Sequence, residues 1–332
     1  ILTIFSFTIL LTACGGALNK AVQDARYDAM SQVEVDTEKA FKGKKKIVIG
    51  GFSVGFKTFK TESVKAGGGL MGSGFGGKSM AKSTLKGVSS SKMQQITDKA
   101  YKEFVKKLEK NGYEVLDRKV LTEHESFKDT NVENAPYEVS VGGMLGGGDE
   151  LVYFAPSSFK GVRTFSGDIP GETGGIGFSN PSSGASEFAD KTGTPVLHAV
   201  FMIDFSHSDS YGGFHTSTSA IQVGEGISIA GGNTRIGLVG GYGGTFSSDV
   251  GYVNLKKPVF SDKKFAKIKD ATSDTSKAVE AVTNVVGVLG GVGSNKSRRY
   301  HFEADPSDYK AGSLEAISET ADKLVSKMTS LR

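Results

Sequence analysis

Glycine constrains the fold of this chain most strongly, because 45 of the 332 residues are glycine and none is tryptophan. Glycine weakens helix interiors and readily adopts the backbone conformations of tight turns. The composition therefore argues against a mainly helical protein and favours strands, turns and loops. Because 38% of the residues are hydrophobic, the chain can still bury the core of one large domain or two modest ones.

Charge and cysteine content exclude several protein classes. Lys and Arg number 40 and Asp and Glu 36, and the resulting net charge of +4 is too small for a nucleic-acid binder driven by bulk charge. The only cysteine, Cys14, allows neither a disulfide framework within the chain nor a thiolate metal cluster. We therefore expect no metal site, no cofactor and no nucleic-acid partner.

The first 13 residues, ILTIFSFTILLTA, are uncharged and mostly apolar, and Cys14 follows them directly. They are too few to span a bilayer, which needs about 20 residues, and they fit the apolar core and cleavage region of a secretory signal. Leu11-Thr12-Ala13-Cys14 resembles a bacterial lipobox, in which the cysteine is lipidated and begins the mature chain. We therefore predict lipidation at Cys14.

The alternative is an ordinary secretory signal with an incidental cysteine. The only cysteine nevertheless occupies the one position where a lipoprotein needs it, and acyl chains contribute about 0.8 kcal/mol per buried CH₂ to membrane binding. Gly15 is not the aspartate of bacterial inner-membrane retention signals. An outer-membrane protein is therefore expected, on the periplasmic face or exposed at the surface.

Hydrophobic periodicity predicts an α/β (α+β) fold with packed helices. An apolar run that continues as an alternation predicts a strand over Ile47–Phe56, and steps of three and four predict a helix from Met93 to Leu108. The next strand follows at Tyr113–Leu116, so this segment forms an α/β unit whose helix covers the sheet. Val196–Phe205 is apolar on both faces and is predicted to be a central strand.

The remaining patterns predict hairpins, loops and a C-terminal helix. Ala220 to Gly244 alternates around a glycine turn, which is typical of a β-hairpin. Residues 61–87 are expected to be a loop and residues 274–289 a helix. An apolar stripe predicts a last helix with Ser313 as its N-cap, formed by Leu314, Ile317, Ala321, Leu324, Met328 and Leu331.

These patterns divide the chain into six segments. They are a truncated signal peptide at 1–13, a lipidated tether at 14–45, an α/β unit at 46–125, a Gly/Ser-rich insertion at 126–195, a β-rich continuation at 196–262 and a C-terminal helical region at 263–332. The tether ends in a cluster of lysines, which is interpreted as a solvated flank rather than a site for lipid headgroups.

Two motifs resemble enzyme signatures in an unfavourable context. Residues 72–79, GSGFGGKS, satisfy the phosphate-loop pattern, but no strand before them and no firm helix after them is predicted. Gly51-Phe52-Ser53-Val54-Gly55 matches a nucleophile elbow, but the strand alternation continues through it. We prefer a flexible glycine loop and a serine on a strand face, so no catalytic residue is predicted.

Three other groups of residues could carry chemistry. Asp204 follows an apolar run and resembles the aspartate of a nucleotide-binding strand. His207 and His215, with Asp204 and Asp209, suggest a metal or acid–base cluster, but their spacing favours surface positions. Residues 298–300, Arg-Arg-Tyr, are interpreted as a solvated loop rather than a binding patch.

The chain resembles the CsgG-like family of outer-membrane lipoproteins over about half of its length. The resemblance rests on the lipoprotein N-terminus, the strand Ile47–Phe52, the helix Ile96–Leu108 and the sequence YEVLDR at 113–118. The family includes the curli secretion channel, and the N-terminal domain of TolB-like periplasmic proteins is related in fold. The resemblance implies a sheet with packed helices that assembles into a ring, and a shared transmembrane pore to which each channel subunit contributes β-hairpins.

The resemblance thus implies a non-enzymatic outer-membrane lipoprotein that acts in secretion or assembly of envelope or surface structures. It would be a homo-oligomer with secreted or envelope proteins as partners. The alternative is a surface-exposed lipoprotein that binds a ligand or the cell wall and forms no pore. Residues 220–255 alternate in a way that is expected both for a pore hairpin and for strands packed on a soluble core. Both interpretations therefore stay open here.

Overall fold

A computed structural model describes residues 32–67, 77–142, 148–170, 179–211, 219–244, 247–272, 285–290 and 295–332. These residues form one mixed sheet of 14 strands with four α-helices, so the α+β class is confirmed. The strands are β1 (Val33–Asp36), β2 (Lys46–Lys65), β3 (Lys78–Lys86), β4 (Glu114–Leu116), β5 (Tyr137–Val141), β6 (Asp149–Phe154), β7 (Val196–Tyr211), β8 (Ser219–Ile229), β9 (Arg235–Gly244), β10 (Ser247–Leu255), β11 (Val259–Phe260), β12 (Ala266–Asp270), β13 (Val285–Gly290) and β14 (Asn295–Ala304). The helices are α1 (Ser90–Lys110), α2 (Lys119–Thr122), α3 (Pro181–Thr192) and α4 (Pro306–Ser330).

The long strand β2 organises the sheet. Its first half pairs in parallel with β4 and β7, and its second half pairs antiparallel with β3. The order across the sheet is β1-β10-β9-β7-β2-β3-β14-β12, so the predicted central position of β7 is confirmed. Ser53 lies within β2 and is buried, as the continuing alternation predicted for a serine on a strand face.

Helices cover both faces of the central strands. Leu197 packs in the same core as α1 and α4, whereas its neighbour Val196 packs in a second core with α3. This division follows from the two-residue period of a strand, which sends successive side chains to opposite faces. The predicted α1 is confirmed: the side chain of Ser89 caps its start, and Gly112, at φ 81°, follows its end.

The C-terminal helix α4 begins earlier than the sequence pattern predicted. Asp305 is the N-cap, its carboxylate accepts hydrogen bonds from two backbone N–H groups, and Pro306 follows at the first helical position. This combination is a stronger start signal than Ser313, which lies buried within the helix. The stripe from Leu314 to Met328 is buried in the main core, so the helix docks within its own chain.

Residues 220–244 form two strands but not a hairpin, which corrects the prediction. β8 pairs with the second half of β7 and β9 with the first half, so the two strands lie end to end along one edge of β7. The glycine turn between them therefore moves the chain along β7 instead of reversing it. Pairing with β7, the strand that precedes β8 in the chain, prevailed over the hairpin signal between β8 and β9.

Other segment predictions also need correction, because strands extend into them. β2 and β3 occupy both ends of the predicted loop 61–87, while residues 68–76 lie outside the described part. β13 occupies the end of the predicted helix 274–289, and residues 273–284 are not described. β1 lies in the predicted tether, and β12 to β14 lie in the predicted helical region. Within the predicted insertion 126–195, where the sequence offers strand candidates at 137–145 and 150–154, β5 and β6 confirm those strands and α3 is an additional helix.

Candidate functional site

A cluster of buried ion pairs lies where β2 leaves β7 and joins β3. The Lys57 ammonium lies 2.9 Å from one carboxylate oxygen of Asp204 and 3.1 Å from Asp149. Lys60 lies 2.8 Å from Glu62 and 3.5 Å from the same Asp204. Asp204, which the sequence suggested as a nucleotide-site aspartate, therefore bridges two lysines of the neighbouring strand.

These charges control one another's ionisation. Burial alone would raise the pKa of Asp204, but Lys60 and Lys57 outweigh it and hold the pKa below its ordinary value of 3.8. Burial alone would lower the pKa of Lys57, but Asp204 and Asp149 outweigh it and hold this pKa above 10.5. Asp204 and Lys57 are therefore both charged near neutral pH, and their ion pairs join β2, β6 and β7.

We expect Asp204→Asn to lower the free energy of unfolding by about 3 kcal/mol at pH 7, because it leaves two buried ammonium groups short of a partner. Because the folded pKa of Asp204 is depressed, its contribution is present above about pH 4 and is lost as the pH falls through the folded pKa. We therefore expect urea titrations from pH 7 to pH 3 to show that the free energy of unfolding falls less steeply with decreasing pH in the variant than in the wild type. The same pH dependence of the free energy of unfolding in both proteins would contradict a stabilising role for the ionised Asp204.

A second buried cluster surrounds His198 in β7. Its Nδ1 lies 2.7 Å from the carboxylate of Asp168, and Arg235 of β9 donates to the same carboxylate over 2.9 Å. The Phe165 ring stacks on the imidazole at a centroid distance of 4.3 Å. A Cβ at position 237 would overlap Nε2 of His198, so only glycine permits this packing. The cluster therefore links β7, β9 and the segment before α3.

The structure separates the other predicted site residues. Lys78 and Ser79, which end the phosphate-loop motif, begin strand β3 instead of the helix that a phosphate loop requires. His207 is half-buried in β7 and Asp209 is exposed; His215 and Cys14 lie outside the described residues. Within the described ranges, no group of three or more His, Cys, Asp or Glu side chains could hold a metal ion.

A basic strand surface lies on the outer face of β2, β3, β14 and β12. The inner side chains of these strands, among them Ser79, Ala81 and Phe302, are buried. Strand alternation sends the intervening side chains outward, and the register aligns Lys65 with Lys78 across β2 and β3. We call this surface the basic face, which consists of Lys65, Lys78, Lys82, Lys86, Lys267, Lys269 and Arg299.

The basic face has little negative charge to balance it. Glu303 is the one carboxylate at the outward positions of these four strands, and it pairs with Lys269 at 2.7 Å. The other six cations make no ion pair with any described residue, although Asp270 pairs nearby with Arg298. Four strands span about 15 Å. The face is therefore an array of positive charge, exposed or half-exposed to solvent, within a chain whose net charge is only +4.

Arg299 belongs to β14, so the prediction of a loop at residues 298–300 is wrong. The sequence did not reveal the basic face because its members come from three separate regions of the chain. A lysine at every fourth position of β3, from Lys78 to Lys86, is the one local signal that could have found it.

Comparisons with protein-family models, curated proteins and solved structures find no match to this chain. Across the described ranges, every helix is too short or too polar to cross a membrane.

Proposed function

We propose that the protein is a non-enzymatic outer-membrane lipoprotein that acts in secretion or assembly of envelope or surface structures. In this proposal Cys14 carries the lipid, and the basic face lies against the anionic headgroups of the anchoring membrane. The observation that carries the second part is the array of six cations on one strand surface that make no ion pair with any described residue. Homo-oligomerisation and envelope or secreted protein partners follow from the CsgG-like resemblance.

The composition of the basic face supports a membrane rather than a specific small ligand. Six of its seven cations are lysines, which act as flexible point charges, whereas arginine suits paired, directional recognition of one anion. A basic residue near an anionic membrane contributes about 1 kcal/mol. Acyl chains and basic residues each contribute to membrane binding, so a lipid anchor and a basic surface reinforce each other.

The packing of β8 supports the alternative in which residues 220–255 form no pore. Ile221, Val223, Ile227 and Ile229 supply its apolar alternation, and each is at most 1% exposed in the protein's own core. These side chains would have to leave that core before they could face lipid. We therefore include in the proposal a membrane-bound protein whose β8 and β9 stay folded in the domain.

Cys14→Ser tests both membrane contacts at once. In cells we expect most of the protein to move from the outer-membrane fraction to the soluble fraction, because the acyl chains are lost. The purified variant should still sediment with phosphatidylglycerol vesicles at low salt and should dissociate from them at high salt. It should not sediment with phosphatidylcholine vesicles, which carry no net charge. Continued salt-resistant membrane association would refute the anchor, and equal binding to both vesicle types would refute the role of the basic face.

A further inference from the structure

His301 of β14 lies on the basic face, between a neighbouring strand on each side. In the register of the sheet it is paired with Thr84 of β3 and with Lys269 of β12. Its neighbours in the chain, Tyr300 and Phe302, are buried, so strand alternation places the imidazole on the outer face. The residue is half-exposed, and its side chain makes no hydrogen bond or ion pair with any described residue. The imidazole is therefore accessible both to protons and to a surface that approaches the basic face.

The charged groups that surround His301 are almost all cations. Those at the outward positions beside it are Lys82 and Lys86 of β3, Lys267 and Lys269 of β12, and Arg299 and Glu303 of β14. Glu303, the one carboxylate among them, pairs with Lys269 at 2.7 Å. Asp270 and Arg298 lie at the alternate positions of their strands and pair with each other. Neighbouring strands lie about 5 Å apart, and two positions along a strand span about 7 Å, so a charge on His301 would join this array at close range.

The charge of the basic face can change near neutral pH at this one position. Histidine is the side chain whose ordinary change of charge falls between pH 5 and pH 8, whereas lysine and arginine stay charged across that range. His301 is the one histidine in the four strands β2, β3, β12 and β14. A fall in pH through this range therefore adds one positive charge to the surface, and a rise in pH removes it.

We propose that His301 makes the contact between the basic face and an anionic membrane pH dependent, so that the contact tightens as the pH falls. This inference rests on the proposed function, in which the basic face lies against anionic headgroups. A negatively charged surface favours the protonated imidazole, and by linkage the protonated imidazole favours membrane binding to the same extent. One basic residue near an anionic membrane contributes about 1 kcal/mol, which corresponds to about a fivefold change in affinity.

Sedimentation of the purified Cys14→Ser protein with phosphatidylglycerol vesicles at pH 7.5 and pH 5.5, at one fixed low ionic strength, tests this regulation. We expect binding to be about threefold to fivefold tighter at pH 5.5. Adding His301→Gln should remove most of this increase, because glutamine is neutral at both pH values. Adding His301→Lys instead should raise the affinity at pH 7.5 to about that of the parent protein at pH 5.5, because lysine is charged at both. Damage to the fold would not produce such a gain.

His124→Gln is the matched control. His124 is half-buried, its Nδ1 lies 2.8 Å from the hydroxyl of Ser126, and its ring packs against Phe188 of α3 rather than on the basic face. This variant should keep the full increase in affinity at pH 5.5. Equal binding of the parent protein at both pH values, or an undiminished increase in His301→Gln, would overturn the role of His301 and leave the proposed function standing. Absence of vesicle binding at both pH values would instead refute the membrane role of the basic face, and the role of His301 with it.

Discussion

Replacing Leu324 by Asp should unfold the protein at room temperature. Leu324 is 0% exposed in α4 and belongs to the main core, to which α1 and the central strands contribute. Truncating such a leucine to alanine costs about 2–5 kcal/mol, and a buried carboxylate adds a desolvation cost. The sum is comparable with the 5–15 kcal/mol that typically stabilises a domain. Circular dichroism during heating, together with size-exclusion chromatography, measures the result.

Ser326→Asp provides the control for the helix itself. Ser326 lies two residues further along α4 and is exposed, so the same new charge should change the melting temperature little. A folded Leu324→Asp protein that only loses an oligomer would place the stripe at a subunit contact. Unchanged melting and unchanged size would show that the stripe is not buried.

Charge reversal in the basic face should nearly abolish binding to anionic vesicles. Lys78→Glu, Lys82→Glu and Arg299→Glu together remove three attractive charges, each contributing about 1 kcal/mol, and add three repulsive ones. We therefore expect the affinity for phosphatidylglycerol vesicles at low salt to fall at least a hundredfold. Sedimentation with vesicles measures this in the Cys14→Ser background, which lacks the proposed site of lipidation.

A matched variant separates this effect from net charge. Lys119, Lys128 and Lys160 are also exposed, and they lie near acidic residues such as Asp117 and Asp129. Reversing these three lysines changes the net charge by the same amount and should weaken vesicle binding much less. Equal losses in the two triple variants, both with wild-type melting temperatures, would mean that no particular surface is responsible.

Local periodicity correctly predicted the elements that are encoded by their own residues. The stripe of α1, from Met93 to Leu108, and the cap at Ser89 are encoded within about 20 residues, and the structure confirms them. The same holds for β7, whose apolar residues on both faces required a central position. In these cases the burial pattern repeats with the period of the element itself.

Prediction failed where the pairing or the ion-pair partners of a strand decided the structure. β8 and β9 carry the signal of a hairpin, but each pairs with part of β7 instead. The second half of β2 looked like a loop because its polar and charged residues, such as Lys60 and Glu62, pair with one another inside the fold. Hydrophobic patterning cannot detect a strand whose inner face contains ion pairs.

The basic face depends even more strongly on pairing, because it needs strands that lie far apart in the sequence. The basic face needs the parallel register of β14 on β3, which brings Arg299 beside Lys82 from more than 200 positions away. Only Cys14 could be selected from the sequence alone, because a lipobox is a local signal.

The distance between the basic face and lipid headgroups tests the central proposal most directly. With Cys14→Ser the chain has no cysteine, so a spin label can be attached to Ser297→Cys on the basic face or to Ser326→Cys on α4. Both positions are exposed. On phosphatidylglycerol vesicles that contain a nickel-chelating lipid, we predict strong relaxation of the label at position 297 and little at position 326. Equal relaxation at both positions, or stronger relaxation at 326, would contradict the proposed orientation.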